Sequence, residues 1–101
     1  MKRIPIEWSP HAERSLRGIQ HYIAKDKPRA AVRFIKRLRD APKRLRKSPE
    51  SGWVVEEYDD PTVREIPCGD YRIIYHFNGK RVLILEVCHG SKPLDLGIFA
   101  Y

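Results

Sequence analysis

With 101 residues, 42% hydrophobic and 33% charged, the chain has the composition of one folded domain around a single modest core, and residues 1–101 are expected to fold as one unit. No apolar run approaches the roughly 20 residues of a membrane-crossing helix, and Met1-Lys2-Arg3-Ile4-Pro5 lacks the apolar stretch of a secretory leader, so a cytoplasmic protein without membrane contact is expected. The net charge of +7 is uneven: eleven of the twenty Lys and Arg fall between Lys25 and Lys47, against only Asp26 and Asp40, while Glu50 to Asp60 holds five acids and no base. Such a basic block steers a chain toward nucleic acid, the ribosome or an acidic protein, unless it is only a solvated helix face.

In chain order, Arg3 to Trp8 alternates, with Ile4, Ile6 and Trp8 on one side, and reads as a strand. Ser9-Pro10 then starts a helix, since serine caps and proline suits the first helical position. Ala12, Leu16, Ile19 and Ile23 form its apolar stripe. Asp26 can cap a second helix with Pro28 in its first turn, and Ala31, Phe34, Ile35, Leu38, Ala41 and Leu45 make that stripe. Pro42 removes a backbone donor and should kink or split this helix. After a loop at Ser48-Pro49-Glu50-Ser51-Gly52, Trp53 to Glu57 reads as a strand and Tyr58-Asp59-Asp60-Pro61 as a turn.

The stretch from Val63 to Lys92 carries three more strands, separated by a turn at Cys68-Gly69-Asp70 and by Asn78-Gly79. Asn-Gly favours a two-residue type I′ turn, which places Phe77 opposite Lys80, Tyr75 opposite Val82 and Ile73 opposite Ile84. By alternation these share one face with Tyr71, Glu86 and Cys88, the more apolar face, expected under helices. The other face carries Ile74, Leu83, Leu85 and Val87 with Arg72, His76, Arg81 and His89. A slip of one residue would exchange the faces. Cys68 and Cys88 then point apart and should stay reduced thiols; neither has the spacing of a metal ligand, and no cofactor is expected.

The order β-α-α-β-β-β-β implies an α+β fold, a two-helix hairpin packed on one face of a mostly antiparallel sheet. The second face is expected to be open, and an exposed apolar face of this kind marks an interaction site. Leu16, Ile19, Ile74, Leu83, Leu85, Val87 and Arg81 are the candidate partner-binding residues.

Nearly the whole chain resembles toxins of the RelE/ParE superfamily from bacterial type II toxin–antitoxin modules. The resemblance rests on Val63–Leu94 (VREIPCGDYRIIYHFNGKRVLILEVCHGSKPL), on Ile6-Glu7-Trp8-Ser9-Pro10-His11-Ala12 and on Ser48-Pro49-Glu50-Ser51-Gly52. Tyr71-Arg72-Ile73-Ile74-Tyr75 and the ending Val87-Cys88-His89-Gly90-Ser91-Lys92 give it a ParE-like flavour. The resemblance implies a growth-arresting protein neutralised by a cognate antitoxin that wraps the helical hairpin and the sheet. ParE-like members poison DNA gyrase, whereas RelE-like members cut messenger RNA on the ribosome. A toxin fold that has lost its toxicity is the third alternative.

An RNA-cutting site needs a base, an acid and cations for the phosphate. The resemblance matches Arg72 to the central-strand arginine of RelE-like enzymes, where a guanidinium can hold a phosphate bidentately. It puts Lys92 near a second cation, His89 near an acid–base position and Glu65 near a candidate base, while Tyr101 corresponds loosely to a catalytic tyrosine. Val63 and Glu65 stand where RelE has basic residues, so the cationic set is incomplete. Structural readings compete at every position. Arg72 can simply pair with Glu65 or Glu86, His89 can bond to backbone, and Trp8, Trp53, Tyr71, Tyr75 and Phe77 can all be packing residues.

Overall fold

A computed structural model describes residues 3–94; Tyr101 lies outside them. Strand β1 (Ile6–Trp8) leads into helix α1 (Pro10–Ala24) and helix α2 (Pro28–Asp40), which continues as a 3₁₀ segment (Ala41–Arg46). A short strand β2 (Trp53–Val54), a 3₁₀ turn (Glu56–Tyr58) and strands β3 (Val63–Cys68), β4 (Tyr71–Phe77) and β5 (Val82–His89) follow. The sheet runs β1-β5-β4-β3-β2, with β1 parallel to β5 and all other pairs antiparallel. This is the α+β architecture anticipated from the sequence, with the first strand returning to an edge.

The Ser9 hydroxyl caps α1 by accepting from the Ala12 N–H at 3.0 Å, and Pro10 opens the helix. The cap expected from Asp26 does not form. The N–H groups of Asp26 and Lys27 both bond to the Ile23 carbonyl, which keeps Asp26 in the exit turn of α1 and leaves Lys27 at the head of α2. Pro42 splits the second helix, as the sequence leads one to expect. Lacking an N–H, it ends the i→i−4 ladder, and the backbone tightens into the 3₁₀ segment.

Ala12 and Leu16 of α1, and Leu38 with Leu45 beyond it, bury against Ile66, Ile73, Tyr75, Val82, Ile84 and Val87 of the sheet. Two corrections to the expected hairpin follow from its backbone. First, Phe77 faces Val82 rather than Lys80, so the loop holds four residues, Asn78 to Arg81. The Asn78 carboxamide oxygen accepts from the N–H groups of Lys80 and Arg81 at 2.9 Å each, and only Gly79 has positive φ, at 91°. Second, an irregularity between Ile74 and Tyr75 places an extra residue on β5, with Ile74 facing Glu86 and Tyr75 facing Ile84. Beyond such a bulge the alternation of β5 inverts. Val87 therefore lies in the helix-covered core, while Cys88 lies in the cluster on the far face. Cys68 and Cys88 do occupy opposite sides, and both thiols are free.

The far face is not open. Val55, directly after β2 and bonded to β3 through its N–H to the Val63 carbonyl at 3.1 Å, buries with Val63, Ile74, Leu85 and Cys88, and Tyr58, Leu83 and Leu94 pack onto them. The chain's own segment thus takes the place expected for a partner. Its approach is fixed at Gly52, whose N–H donates to the Tyr75 hydroxyl at 3.1 Å, while that hydroxyl donates to the Pro49 carbonyl at 2.8 Å. A Cβ at Gly52 would stand 2.6 Å from the Glu65 carbonyl oxygen and 2.7 Å from the Tyr75 hydroxyl, so only glycine fits. Trp53, expected to pack, is instead 68% exposed, because β2 is the sheet edge and places its ring on the rim.

Candidate functional site

Arg72 projects from β4 on the far face, where the ladder brings Glu65 of β3 beside it. Its Nε and Nη2 donate to the two oxygens of Glu65 at 2.7 and 2.8 Å. Its Nη1 and Nη2 donate to the two oxygens of Glu57, on the 3₁₀ turn, at 2.9 and 3.0 Å. Two bidentate carboxylates occupy the fork, and the cluster of one cation and two anions is net negative. The arginine is held charged, its pKa raised above the ordinary value first by Glu65 and then by Glu57. The Glu57 carboxyl is correspondingly lowered by Arg72. Such a group does not attract a phosphate as a free guanidinium does. Trp53, Val54 and Glu56 complete the walls of this acidic groove.

His89 and Lys92 lie elsewhere. The inverted alternation of β5 turns the His89 ring edge-on to Tyr71, with centroids 5.4 Å apart, and Tyr71 in turn meets Phe34 of α2. His89 is thus on the helix side of the sheet and Arg72 on the other, contrary to the expectation that they share a face. The backbone N–H of Ser91 donates to His89 Nδ1 at 3.2 Å and the Ser91 hydroxyl stands 2.7 Å from it, which leaves the proton of the neutral ring on Nε2. Lys92 is exposed and has no carboxylate partner among the described residues. Both line a groove of about 470 Å³ beside α1, with Ile19, Tyr22, Tyr71 and Glu86. Of the four residues proposed for RNA cleavage, two pairs form: Arg72 with Glu65, and His89 with Lys92. The sheet separates them.

The family profile described as "ParE toxin of type II toxin-antitoxin system, parDE" matches residues 6–94. The chain belongs to this family of toxins. No curated protein matches its sequence. Among solved structures, the chromosomal ParDE toxin–antitoxin system from P. aeruginosa contains a chain with a TM-score of 0.71 at 20% identity, over 86% of this chain and 96% of that one. The RelBE2 toxin–antitoxin complex from Mycobacterium tuberculosis gives 0.57 at 21% identity, covering 86% and 98%. The YoeB dimer from Staphylococcus aureus gives 0.58 at 13%, covering 86% and 95%. At these identities the structural likenesses establish the fold, and the family match carries the assignment as a type II toxin.

In this toxin most of the apolar residues expected to meet a partner are interior. Leu16 lies under α1, Val87 faces the helices, and Ile74 and Leu85 lie beneath the toxin's own Val55 segment. Their burial removes them from any docking surface of the folded chain. Ile19 and Leu83 are half-buried, and Arg81 is exposed and paired with Glu7 at 2.8 Å. Glu86 does not reach Arg72. It turns toward α1, where His11 Nε2 meets one oxygen at 2.7 Å and the Ser15 hydroxyl donates to the other, with the Val87 N–H at 2.8 Å. This polar latch between sheet and helix was missed, although His11 and Ser15, four apart, share a helix face that could have signalled it. Glu57 as a partner of Arg72 was also missed, since no periodicity links them. Among the described residues no group of three potential metal-binding side chains comes together, and no helix is long and apolar enough to cross a membrane.

Proposed function

We propose that this toxin arrests growth by binding DNA gyrase, without cutting RNA itself, and that a cognate antitoxin in the cytoplasm neutralises it. One observation carries the reading: the would-be catalytic arginine is neutralised by Glu57 and Glu65, on the side of the sheet away from His89 and Lys92. Phosphate-cleaving chemistry needs its cation and its acid–base groups converging on one reacting centre. Membership of the ParE family supports the same target. For the antitoxin, the exposed Tyr22 beside Ile19 on α1 offers an apolar anchor that the far face, already filled, does not.

The purified toxin should inhibit supercoiling by gyrase and trap cleaved DNA, and its induction in cells should cause DNA breaks before translation stops. Early translation arrest with messages cut at ribosomal sites would overturn the reading. That outcome would favour the ribonuclease alternative, whose support is the single groove shared by His89 and Lys92.

A further inference from the structure

Much of the basic block of the sequence is exposed along α2 and its 3₁₀ extension. At 100° per residue, Arg29, Arg33, Lys36 and Arg37 fall within an arc of about 100° on α2, opposite the stripe of Ala31, Phe34, Ile35 and Leu38. All four are exposed, and so are Arg44 on the 3₁₀ segment and Lys47 just past it. Asp40 is the one acid within α2 and the 3₁₀ segment, and Lys36 and Lys43 at 2.7 and 2.8 Å neutralise it, holding its carboxyl down at about 2. Arg29, Arg33, Arg37, Arg44 and Lys47 have no carboxylate partner among the described residues. Beside the row, Arg39, Lys43 and Arg46 ring a shallow groove of about 260 Å³ against Trp8.

We propose that the outer face of α2 and its 3₁₀ extension is a binding surface for the phosphate backbone of duplex DNA. Charge selects a polyanion, and what the face lacks selects which one. A protein partner needs an apolar or aromatic anchor at the centre of its contact. Here Val32 is the lone exposed apolar side chain among the cations. Single-stranded nucleic acid needs aromatic platforms on which bases stack. The one aromatic of the block, Phe34, is turned inward onto Tyr71, with the Arg37 guanidinium over its ring at 5.4 Å. Duplex RNA presents a deep, narrow major groove, whereas that of B-DNA admits a helix. From Arg29 to Arg37 the helix rises about 12 Å, a length over which B-DNA carries about seven phosphate charges. The cations meet these charges without reading bases, so the expected binding is sequence-independent. The inference goes beyond the gyrase reading and can fail independently of it, because it concerns the isolated toxin and DNA alone.

The test is fluorescence anisotropy of a short labelled DNA duplex titrated with the full-length toxin over a range of salt. Affinity should fall about 100-fold between about 50 and 200 mM salt, as for about four phosphate contacts. The variant carrying Arg29→Gln, Arg33→Gln, Arg37→Gln and Arg44→Gln should lose most of that salt slope, about one unit per residue. Arg3→Gln, Arg14→Gln, Arg17→Gln and Lys80→Gln together remove the same charge elsewhere and should preserve the slope. Circular dichroism of both variants checks that they fold. Equal losses in the two variants, tighter binding to duplex RNA of the same sequence, competition by polyglutamate as strong as by DNA, or no binding at low salt would each overturn the proposal.

Discussion

Two arginine-bearing surfaces of this toxin meet opposite fates. On the far face of the sheet, Arg72 is held in bidentate pairs by Glu57 and Glu65. On the outer face of α2, Arg29, Arg33 and Arg37 are exposed with no carboxylate partner among the described residues. A cation saturated by carboxylates contributes to the fold; one left unpaired keeps its charge available to something outside. Residue type alone therefore does not identify a phosphate site. The carboxylates within reach decide it.

The comparison can be broken most forcefully at Gly52. Gly52→Ala drives a methyl into the Glu65 carbonyl and the Tyr75 hydroxyl, so the segment covering the far face must shift. The expected loss is about 3 kcal/mol, or roughly 10–20 °C in Tm for a domain of this size, read by thermal denaturation. Glutamine at Arg33 should change stability by less than about 0.5 kcal/mol, because nothing there depends on it. Similar losses at both sites would erase the distinction drawn between the surfaces.

Arg72→Ala comes next. It leaves Glu57 and Glu65 facing each other without their cation, a loss of about 2 kcal/mol once solvent at the half-exposed Glu57 is allowed for. Adding Glu57→Gln should recover part of it by removing one of the two repelling charges, a coupling that a double-mutant cycle measures. On the gyrase reading, toxicity should follow the remaining folded fraction. Complete loss of toxicity from a variant that stays folded would return Arg72 to the active machinery.

The helix stripes, the α+β order and the packing of Tyr71, Tyr75 and Phe77 were legible because alternation and 3.6-residue spacing report directly which side is buried. The faces of β5 were legible only as far as Glu86. Leu83 to Cys88 is apolar at every position but Glu86, so an inserted residue leaves no trace in the pattern, yet it inverts Val87, Cys88 and His89. That single bulge separates His89 from Arg72 and dismantles the catalytic set. The closure of the far face was illegible for another reason. Trp53 to Glu57 looks like a strand, but only Trp53 and Val54 form the ladder; Val55 still holds β3 through its N–H to the Val63 carbonyl at 3.1 Å, and Glu56–Tyr58 then turns as a 3₁₀ segment that packs Tyr58 onto the far-face cluster. Local periodicity carries no information about such a turn.

The smallest effect concerns acid. Arg72 lowers the Glu57 carboxyl below its ordinary value of 4.5, and Arg39 does the same for Glu13 through contacts of 2.6 and 3.1 Å. A carboxyl whose folded pKa lies below its unfolded one binds fewer protons when folded, so its contribution is fully present above the unfolded value and is lost as pH falls through the folded one. Stability should therefore be flat near neutrality and decline as the pH drops below that of a free glutamate, with urea midpoints measured from about pH 6 to about pH 3. Glu57→Gln should make the decline shallower, and glutamine at Arg33 should leave its slope unchanged, since among the described residues no carboxylate answers that cation. An unaltered slope in Glu57→Gln would mean that the Arg72–Glu57 contact is screened by solvent. Glu65 alone would then neutralise the arginine, one fork of Arg72 would be free, and the far face would regain the capacity for a phosphate that the present arrangement denies it.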